Sequence, residues 1–322
     1  MALYFQDVSA GVGVRLRVVI WDTAFTRLAG CRYPLQMAGM GGASSLDLAV
    51  AVSVAGGLGM VTGTVGATAL DAQLDSVPDD AVVGVNFLVP FLDRRALESA
   101  AARSPLVEFF WGAPDQALVV AAGALGARVG WQVGSVDEAR AAVDAGCDFV
   151  VLQGHEAGGH VRGTAPLLEL VAAARSRVEA PLVAAGGIGT GRQMAAVLDA
   201  GADAVRIGTR FLAAFESIAH PGYVERLIGA TGDDTEITTA FGDGWPDAPH
   251  RVLRSAIDAG NALGANQVWS PQWPTIDDDG PVEARALYAG RSVDAVLSRQ
   301  SAAAIVRELV EEAEHVMGAG GR

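Results

Sequence analysis

The hydrophobic pattern between Pro34 and about Glu216 is regular. Short apolar runs alternate with Ala-rich amphipathic stretches, and the repeat of roughly 20 to 28 residues is about the length of one strand–helix unit. The runs lack the alternation of a half-exposed strand, which favours strands buried on both faces of a parallel sheet. The predicted strands are Pro34–Ala38, Gly59–Thr62, Val82–Phe87, Leu106–Trp111, Arg128–Val133, Phe149–Gln153, Leu182–Ala185 and Ala204–Ile207. Eight such units predict an α/β fold, the (β/α)8 or TIM barrel.

Two segments of the chain repeat one another. Ser135–Gly154 and Thr190–Thr209 align without gaps at an offset of 55 residues. In each segment a Ser or Thr suited to a helix N-cap opens a helical stretch, and a glycine suited to a helix end, Gly146 or Gly201, comes before the next apolar run. The same helix–strand unit is therefore used twice, which supports the barrel.

The composition changes after Phe215. Gly, Pro and Trp become frequent, and a helical pattern runs from Ser292 to about Met317. We therefore predict two parts, a barrel over residues 22–216 and a mainly helical lid or subdomain with a C-terminal helix over residues 217–322. The first residues are left out of the fold prediction because Leu3–Gln6 resembles part of a protease-cleavage tag.

Charge and composition exclude several classes of function. The formal net charge of −14 argues against nucleic acid and anionic membranes as partners, because both attract basic surfaces. The sequence contains no Lys, which excludes Schiff-base chemistry and a Walker-type phosphate loop. Cys31 and Cys147 lie far apart without metal-ligand or disulfide spacing, which fits a reducing cytoplasm and no bound metal. The apolar run Gly13–Trp21 is short and interrupted by Arg, so we expect neither a signal peptide nor a membrane span.

Candidate ligand contacts follow the first and third predicted strands. Ala38, Gly39 and Met40 end the first strand, where small residues let the backbone approach a flat ligand closely. Asn86 ends the third strand, and its carboxamide offers both a donor and an acceptor to a polar ring edge. An ordinary glycine turn and an asparagine cap are the alternative interpretations of these two sites.

Two glycine loops follow the seventh and eighth predicted strands. Ala185, Gly186 and Gly187 belong to the first loop, and Gly208 and Thr209 to the second. In barrels these are the loops whose backbone N–H groups commonly bind phosphate. Because the two loops hold matching places in consecutive units, phosphate binding is favoured over two unrelated turns.

The loop Gln153–His160 after the sixth strand carries the candidate for catalysis. His160 follows Gly158 and Gly159 at the face where barrel enzymes place their chemistry. A neutral imidazole takes up a proton near neutral pH, so His160 is predicted to be a general base, with a surface histidine as the alternative. His250 is a weaker candidate in a segment that could fold over the site. The histidines assigned to structure or solvent are His220 and His315.

Taken together, these motifs resemble the nitronate monooxygenase family, formerly called 2-nitropropane dioxygenases. The resemblance covers about residues 30 to 255. Its motifs, in family order, are Met37–Met40, Gly84–Phe87, Gln153–His160, Ala184–Gly189 and Ala202–Phe211.

The resemblance implies FMN held noncovalently at the top of the 22–216 barrel. It implies that Ala38, Gly39 and Met40 lie against the isoalloxazine ring, and that Asn86, Gln132 and Gln153 approach its polar edge or the ribityl chain. It also implies that Gly186, Gly187, Gly208 and Thr209 bind the phosphate, that Gly158, Gly159 and Ala185 contribute further cofactor contacts, and that His160 is the catalytic base.

Two departures from the family pattern concern the substrate. Val161 and Arg162 stand between His160 and the next glycine, where the family usually has one residue. This insertion could shift the loop or place the charge of Arg162 over the substrate. Gln132 stands where many relatives carry a basic or imidazole side chain.

The leading hypothesis is FMN-dependent oxidation of an alkyl nitronate, or of a nitroalkane deprotonated by His160, with O2 to a carbonyl compound and nitrite. One alternative is an NAD(P)H-dependent flavin reductase of an enoyl-thioester, CoA-linked or quinone substrate, because flavin enoyl-acyl-carrier-protein reductases share the loop and the barrel. A barrel that binds FMN without turnover is another, since architecture does not fix function. The physiological substrate, the use of NAD(P)H and a homodimer stay open.

Overall fold

The computed structural model describes residues 2–10, 14–245, 247–263, 269–279 and 282–320. Its strands are β1 (Ala2–Ala10), β2 (Val14–Asp22), β3 (Leu35–Met37), β4 (Gly59–Thr62), β5 (Val83–Leu88), β6 (Leu106–Phe110), β7 (Arg128–Val133), β8 (Phe149–Gln153), β9 (Gly159–His160), β10 (Leu182–Ala185), β11 (Ala204–Ile207), β12 (Thr235–Thr238) and β13 (His250–Leu253). Its α-helices are α1 (Ala24–Ala29), α2 (Leu46–Val54), α3 (Ala67–Asp75), α4 (Arg94–Arg103), α5 (Gln116–Gly123), α6 (Val136–Asp144), α7 (Leu167–Arg175), α8 (Gly191–Asp199), α9 (Thr209–Leu212), α10 (Pro221–Leu227), α11 (Arg254–Ala262) and α12 (Ala302–Gly320). Short 3-10 helices cover Gly41–Ala43, Gly63–Val65, Val89–Phe91, Gly232–Asp234 and Arg291–Ala295.

Eight parallel strands form the barrel. Their order is β3-β11-β10-β8-β7-β6-β5-β4, and a parallel bridge between Gln36 and Leu58 joins the two ends. The TIM-barrel prediction is confirmed, and each predicted strand has an observed counterpart whose ends differ by at most one residue. Apolar runs without alternation identified these strands because both of their faces are buried, one in the barrel interior and one under the helices.

The repeated unit forms because each copy has the same helix signals. The side chain of Ser135 accepts a hydrogen bond from Glu138 N, and that of Thr190 accepts one from Gln193 N. Gly146 and Gly201 follow the two helices with φ of 96° and 113°, the left-handed region that other residues rarely adopt. Local capping therefore sets the bounds of α6 and α8, and the strand that follows each helix enters the barrel.

The residues after β11 divide between two places, the outside of the barrel and the region above it. The predicted helical segment is present, but it begins with the 3-10 helix Arg291–Ala295, and only α12 is long. Helix α12 packs against α8 and α2, so it takes the outer place beside the eighth strand instead of covering the barrel. Gly191 N donates to Glu312 Oε2 at 2.7 Å in this contact. The remainder includes strands as well as helices, and β12, β13 and β9 form a three-stranded antiparallel sheet above the barrel.

The opposite end of the barrel is closed by α1. Phe25 is fully buried and packs edge-on against Phe149, the first residue of β8, with ring centroids 5.7 Å apart. Ahead of α1, β1 and β2 form an antiparallel hairpin in a segment that the sequence analysis left out. Among the described residues no helix is long and apolar enough to cross a membrane, and no group of His, Cys, Asp or Glu could hold a metal ion.

Candidate active site

A cavity of about 840 Å³ opens at the carboxyl ends of the barrel strands. This is the face on which barrel enzymes build their active sites, because the loops after the strands converge there. The predicted catalytic base His160 and all predicted cofactor contacts line this cavity. They are Ala38, Gly39, Met40, Asn86, Gln132, Gln153, Gly158, Gly159, His160, Ala185, Gly186, Gly187, Gly208 and Thr209.

The two glycine loops form one end of the cavity. Gly186 and Gly187 have φ of 111° and 69°, which favours glycine at both positions. Within the described part of the chain, the backbone N–H groups of Gly186, Gly187, Gly208 and Thr209 donate to no protein acceptor. Convergent free N–H groups of this kind are suited to an anion such as a phosphate.

The loop after β3 approaches β5 closely. A Cβ added to Gly39 would lie 2.7 Å from Asn86 Cβ, so only glycine fits beside the Asn86 side chain. Ala38 N donates to Ile207 O at 2.8 Å, and Met40 N donates to Ser44 Oγ at 2.6 Å. Two hydrogen bonds therefore fix the backbone of Ala38–Met40 at the cavity wall.

A buried ion pair forms the cavity floor. Glu108 on β6 and Arg206 on β11 are 0% and 5% exposed and pair across the barrel. Arg206 also donates to Gln132, and its Nη2 donates to Gln36 Oε1 at 3.0 Å. Glu108 accepts from Asn86 Nδ2 at 2.8 Å, so the charged pair is enclosed by three carboxamides. The sequence analysis missed Arg206, Glu108 and Gln36, which lie inside apolar strand patterns.

Two of the predicted cofactor contacts, Asn86 and Gln132, already use one of their amide atoms in hydrogen bonds to the ion pair at the cavity floor. The Asn86 amide nitrogen bonds to Glu108, which leaves its oxygen for a ligand, and the Gln132 oxygen bonds to Arg206, which leaves its amide nitrogen. The Gln153 amide is used by the loop that carries His160. Gln153 Nε2 donates to His160 O at 2.8 Å, and Gln153 Oε1 accepts from Arg162 N at 2.9 Å. Gln153 therefore holds the loop at the position where it lines the cavity.

His160 lies in a cluster of aromatic rings. Pairing of β9 with β13 places it opposite His250, with ring centroids 5.2 Å apart. Its ring stacks on Trp245 at a centroid distance of 3.9 Å, and Trp111 meets it edge-on at 5.7 Å. Tyr288 lies on another side at 5.8 Å. Trp111 has a φ of 66°, a strained value for a residue other than glycine, at the edge of this cluster.

These aromatic surroundings keep the imidazole of His160 neutral. Burial lowers the pKa of His160 to about 3, and the neighbouring His250 adds to the effect. His160 Nε2 is buried and has no hydrogen-bond partner among the described residues. A buried ring nitrogen without a protein partner on a cavity wall is available to a ligand.

The other charged and imidazole candidates do not face the cavity. The sequence analysis allowed Arg162 to place a charge over the substrate, and this is wrong, because its guanidinium pairs with Glu138 and lies over the Trp111 ring outside the lining. His250 is fully buried, and both of its ring nitrogens bond to the backbone, at Ala248 O and Phe241 N. His220 caps α10 through Gly222 N.

Other residues that line the cavity were not predicted from the sequence. They are the apolar Leu88, Phe91, Phe110, Trp245 and Trp273 and the polar Asp243, Gln272, Thr275 and Asp278. Trp245 and Trp273 lie in Trp- and Pro-rich segments whose composition was noticed without a position being assigned. The two cysteines lie outside the lining, and burial raises the pKa of Cys31 and of Cys147 to about 12, so neither thiol is activated.

Comparison with known proteins agrees with this architecture. A family model described as nitronate monooxygenase matches residues 76–312. A nitronate monooxygenase of Pseudomonas aeruginosa is 33% identical over 352 residues, which cover 89% of this chain and 98% of that protein. The (3aS,4S,5R,7aS)-5-hydroxy-7a-methyl-1-oxo-octahydro-1H-indene-4-carboxyl-CoA dehydrogenase of Rhodococcus jostii is 33% identical over 277 residues, which cover 80% of this chain and 77% of that protein.

Solved structures give the same picture. FabK from Thermotoga maritima superposes with a TM-score of 0.81 at 28% identity, covering 92% of this chain and 98% of that one. A nitroalkane oxidase from Streptomyces ansochromogenes superposes with a TM-score of 0.78 at 27% identity, covering 92% of this chain and 100% of that one. The likeness therefore includes the segment after the barrel strands as well as the barrel.

Proposed function

The chain belongs to the nitronate monooxygenase family and is an oxidoreductase, and we propose that it oxidises alkyl nitronates with FMN and O2 to a carbonyl compound and nitrite. One observation carries the proposal. A neutral imidazole with an unpartnered nitrogen, that of His160, lines the same cavity as two glycine loops with free backbone N–H groups. The imidazole nitrogen is suited to a nitro group, and the backbone N–H groups are suited to the phosphate of a nucleotide cofactor.

The residues present fit FMN. A cavity of about 840 Å³ lies within the range of roughly 300–1,000 Å³ that is usual for ligand pockets. The free N–H groups of Gly186, Gly187, Gly208 and Thr209 would hold the phosphate, so the proposed site needs no Lys. The segment Ala38–Met40 would lie against the ring system, with the Asn86 oxygen and the Gln132 amide nitrogen at its polar edge. When bound, the flavin supplies the electron acceptor and the site of reaction with O2.

The state of His160 favours the nitronate over the nitroalkane as substrate. A base whose pKa is lowered to about 3 takes a proton from a neutral nitroalkane only at high cost, because the imidazolium that forms is itself disfavoured by burial. A nitronate is already deprotonated and needs no such step. The neutral ring of His160 would instead bind and orient the nitro group at its unpartnered nitrogen, while Trp245 and Trp111 exclude water from this side.

An anaerobic titration tests the proposal. The purified protein, reconstituted with FMN, is titrated with ethyl nitronate and, in separate samples, with NADH and NADPH, while the flavin absorbance is recorded. We expect the nitronate, and not the nicotinamides, to bleach the flavin, and His160→Gln to keep its flavin but to respond far more weakly. No flavin spectrum after reconstitution, or no response to the nitronate, would contradict the proposal.

A reductase is the second candidate function. It is favoured by the likeness to FabK and to a CoA dehydrogenase. The charges of the cavity lining oppose it, because the one described cation there, Arg206, is paired with Glu108, which leaves no free cation for the phosphates of a CoA or carrier-protein substrate. The backbone N–H of Thr275 lowers the pKa of Asp278, but Arg285 pairs with that carboxylate, so Asp243 is the lining carboxylate without a counterion among the described residues. Rapid bleaching by NADH or NADPH without a nitro compound in the same titration would favour the reductase.

A further inference from the structure

Aromatic side chains line part of the cavity, and of these Phe110 and Trp245 are buried whereas Phe91 is half-exposed. Phe91 follows β5, Phe110 ends β6, and Trp245 lies in the loop between β12 and β13. The Phe91 and Trp245 rings meet at right angles with centroids 5.1 Å apart, yet Phe91 is 47% exposed. Trp245 continues this wall to the catalytic imidazole, on which it stacks at 3.9 Å. A group attached to a nitro carbon at His160 would therefore contact these rings.

The charges around the cavity are unequal. Among the described residues that line it, Arg206 carries the only formal positive charge, and that charge is buried in the floor and paired with Glu108. Two carboxylates also line the cavity: Asp278 pairs with Arg285, and Asp243 has no ion-pair partner among the described residues. A second negative charge on the substrate would therefore find no free cation in the lining and would lie in the same cavity as the Asp243 carboxylate, which raises its electrostatic energy.

We propose that the substrate is the nitronate of a nitroalkane with an aryl or bulky apolar substituent and no second charge, with the substituent bound against Phe91, Phe110 and Trp245. The inference rests on the proposed function and names its substrate class. Aromatic groups gain both buried area and edge-to-face contacts on such a wall. A substrate whose tail is a carboxylate would gain neither contact.

Three nitronates whose reactive carbons are equally substituted test whether the substituent binds to the aromatic wall. Specificity constants are measured with the FMN-loaded enzyme for the nitronates of 1-nitro-2-phenylethane, of nitroethane and of 3-nitropropanoate. We expect the phenyl substrate to exceed ethyl nitronate by about tenfold or more, because filling an apolar pocket changes specificity by that order. The dianionic 3-nitropropanoate nitronate should be the poorest. A dianion that is used as well as the phenyl substrate would overturn the inference.

A second experiment introduces a charge into the aromatic wall. Phe91→Arg places a cation beside the substituent, and Val120→Arg is the matched control, because Val120 is 61% exposed on α5 and outside the lining. We expect Phe91→Arg to raise the specificity constant for the dianion by about fivefold relative to the phenyl substrate, a change typical of one partly exposed charge pair. Equal effects of the two variants on the ratio would contradict a substituent site at Phe91. Thermal melting of each variant confirms its folding.

A binding measurement separates this inference from the proposed reaction. The carboxylates 3-phenylpropanoate and succinate have the shapes of the phenyl and dianionic nitronates, and their binding is followed by tryptophan fluorescence, since Trp245 lies in the wall. Tighter binding of 3-phenylpropanoate, by about tenfold, is expected. If no nitronate is oxidised while this preference holds, the proposed reaction fails and the apolar site stands. If succinate binds equally well, the apolar site fails whatever the reaction.

Discussion

The buried pair of Glu108 and Arg206 offers a quantitative test of the structure. Glu108 is fully buried and accepts hydrogen bonds from Asn86 Nδ2 at 2.8 Å and Gln36 Nε2 at 3.0 Å in addition to its pairing with Arg206. Glu108→Gln keeps the shape of the side chain and removes its charge. Arg206 then remains as a buried cation without a counterion, because its other partners are the neutral side chains Gln36 and Gln132.

The expected cost is large. Removing one partner of a buried ion pair typically destabilises a protein by about 3–5 kcal/mol. The unfolding entropy at the melting temperature is about 2.1 cal/mol/K per residue, which for 322 residues amounts to roughly 0.7 kcal/mol/K. We therefore expect the melting temperature of Glu108→Gln to fall by about 4–7 °C in scanning calorimetry with samples of matched flavin content.

Two controls distinguish a buried charge from a general effect of substitution. Asp75→Asn removes one of the two carboxylates paired with Arg103, the other being Asp71, and because Asp75 is 73% exposed the change should cost less than about 1 kcal/mol. The double variant Glu108→Gln with Arg206→Met removes both charges and should recover much of the loss. A Glu108→Gln protein as stable as the wild type, or a double variant whose loss equals the sum of the single losses, would refute the buried ion pair.

Three further predictions concern the cavity. Gly208 has a negative φ of −115°, and an added Cβ would meet Ala38 Cβ at an ordinary 3.4 Å, so Gly208→Ala should change the unfolding free energy of the flavin-free protein by less than about 1 kcal/mol. The bulkier Gly208→Val should lose most of its FMN on gel filtration, and retained FMN would count against the phosphate site. Burial lowers the pKa of His160 in the folded state from 6.5 to about 3, so between these two pH values the unfolded state binds more protons than the folded state. The free energy of unfolding should therefore decrease as pH falls from 6.5 to about 3, by up to about 1.4 kcal/mol per pH unit. Urea unfolding at several pH values should show a smaller slope for His160→Gln, and an unchanged slope would place the acid sensitivity elsewhere. Since the Arg162 charge is paired with Glu138, Arg162→Met should keep the specificity constant for ethyl nitronate within about twofold, whereas a tenfold loss would return this charge to substrate binding.

The barrel was predictable because its signals are local. Strands buried on both faces appear as unbroken apolar runs, and the helix between two strands begins at a side chain such as Ser135 or Thr190 that caps it. The glycine loops were predictable for the same reason, since Gly186 and Gly187 adopt positive φ within their own turn. The sequence also contained the pattern of α12, but an amphipathic pattern does not state which surface the helix covers. Its packing between α8 and α2 follows from the vacant outer place beside the eighth strand.

The cavity floor was not predictable because its residues meet only across the barrel. Glu108 and Arg206 are 98 residues apart in sequence, and each is a single charged residue within an apolar run. Such a residue is equally typical of a strand end that reaches solvent. Only closure of the barrel places Glu108 of β6 and Arg206 of β11 on facing inner walls.

The chemistry of His160 combines both kinds of information. Its place at the end of a Gly-Gly loop on the catalytic face was visible in the sequence, and the structure places it on the cavity wall. Its protonation state was not visible, because the rings that bury it come from distant segments: Trp111 after β6, Trp245 before β13, and Tyr288 beyond α11. The sequence suggested a general base for nitroalkanes, whereas a pKa lowered to about 3 makes proton removal from a neutral carbon acid unfavourable. If the proposed function is right, the segments after the barrel strands influence the choice between the two substrate forms, because by burying His160 they favour a substrate that arrives as the nitronate.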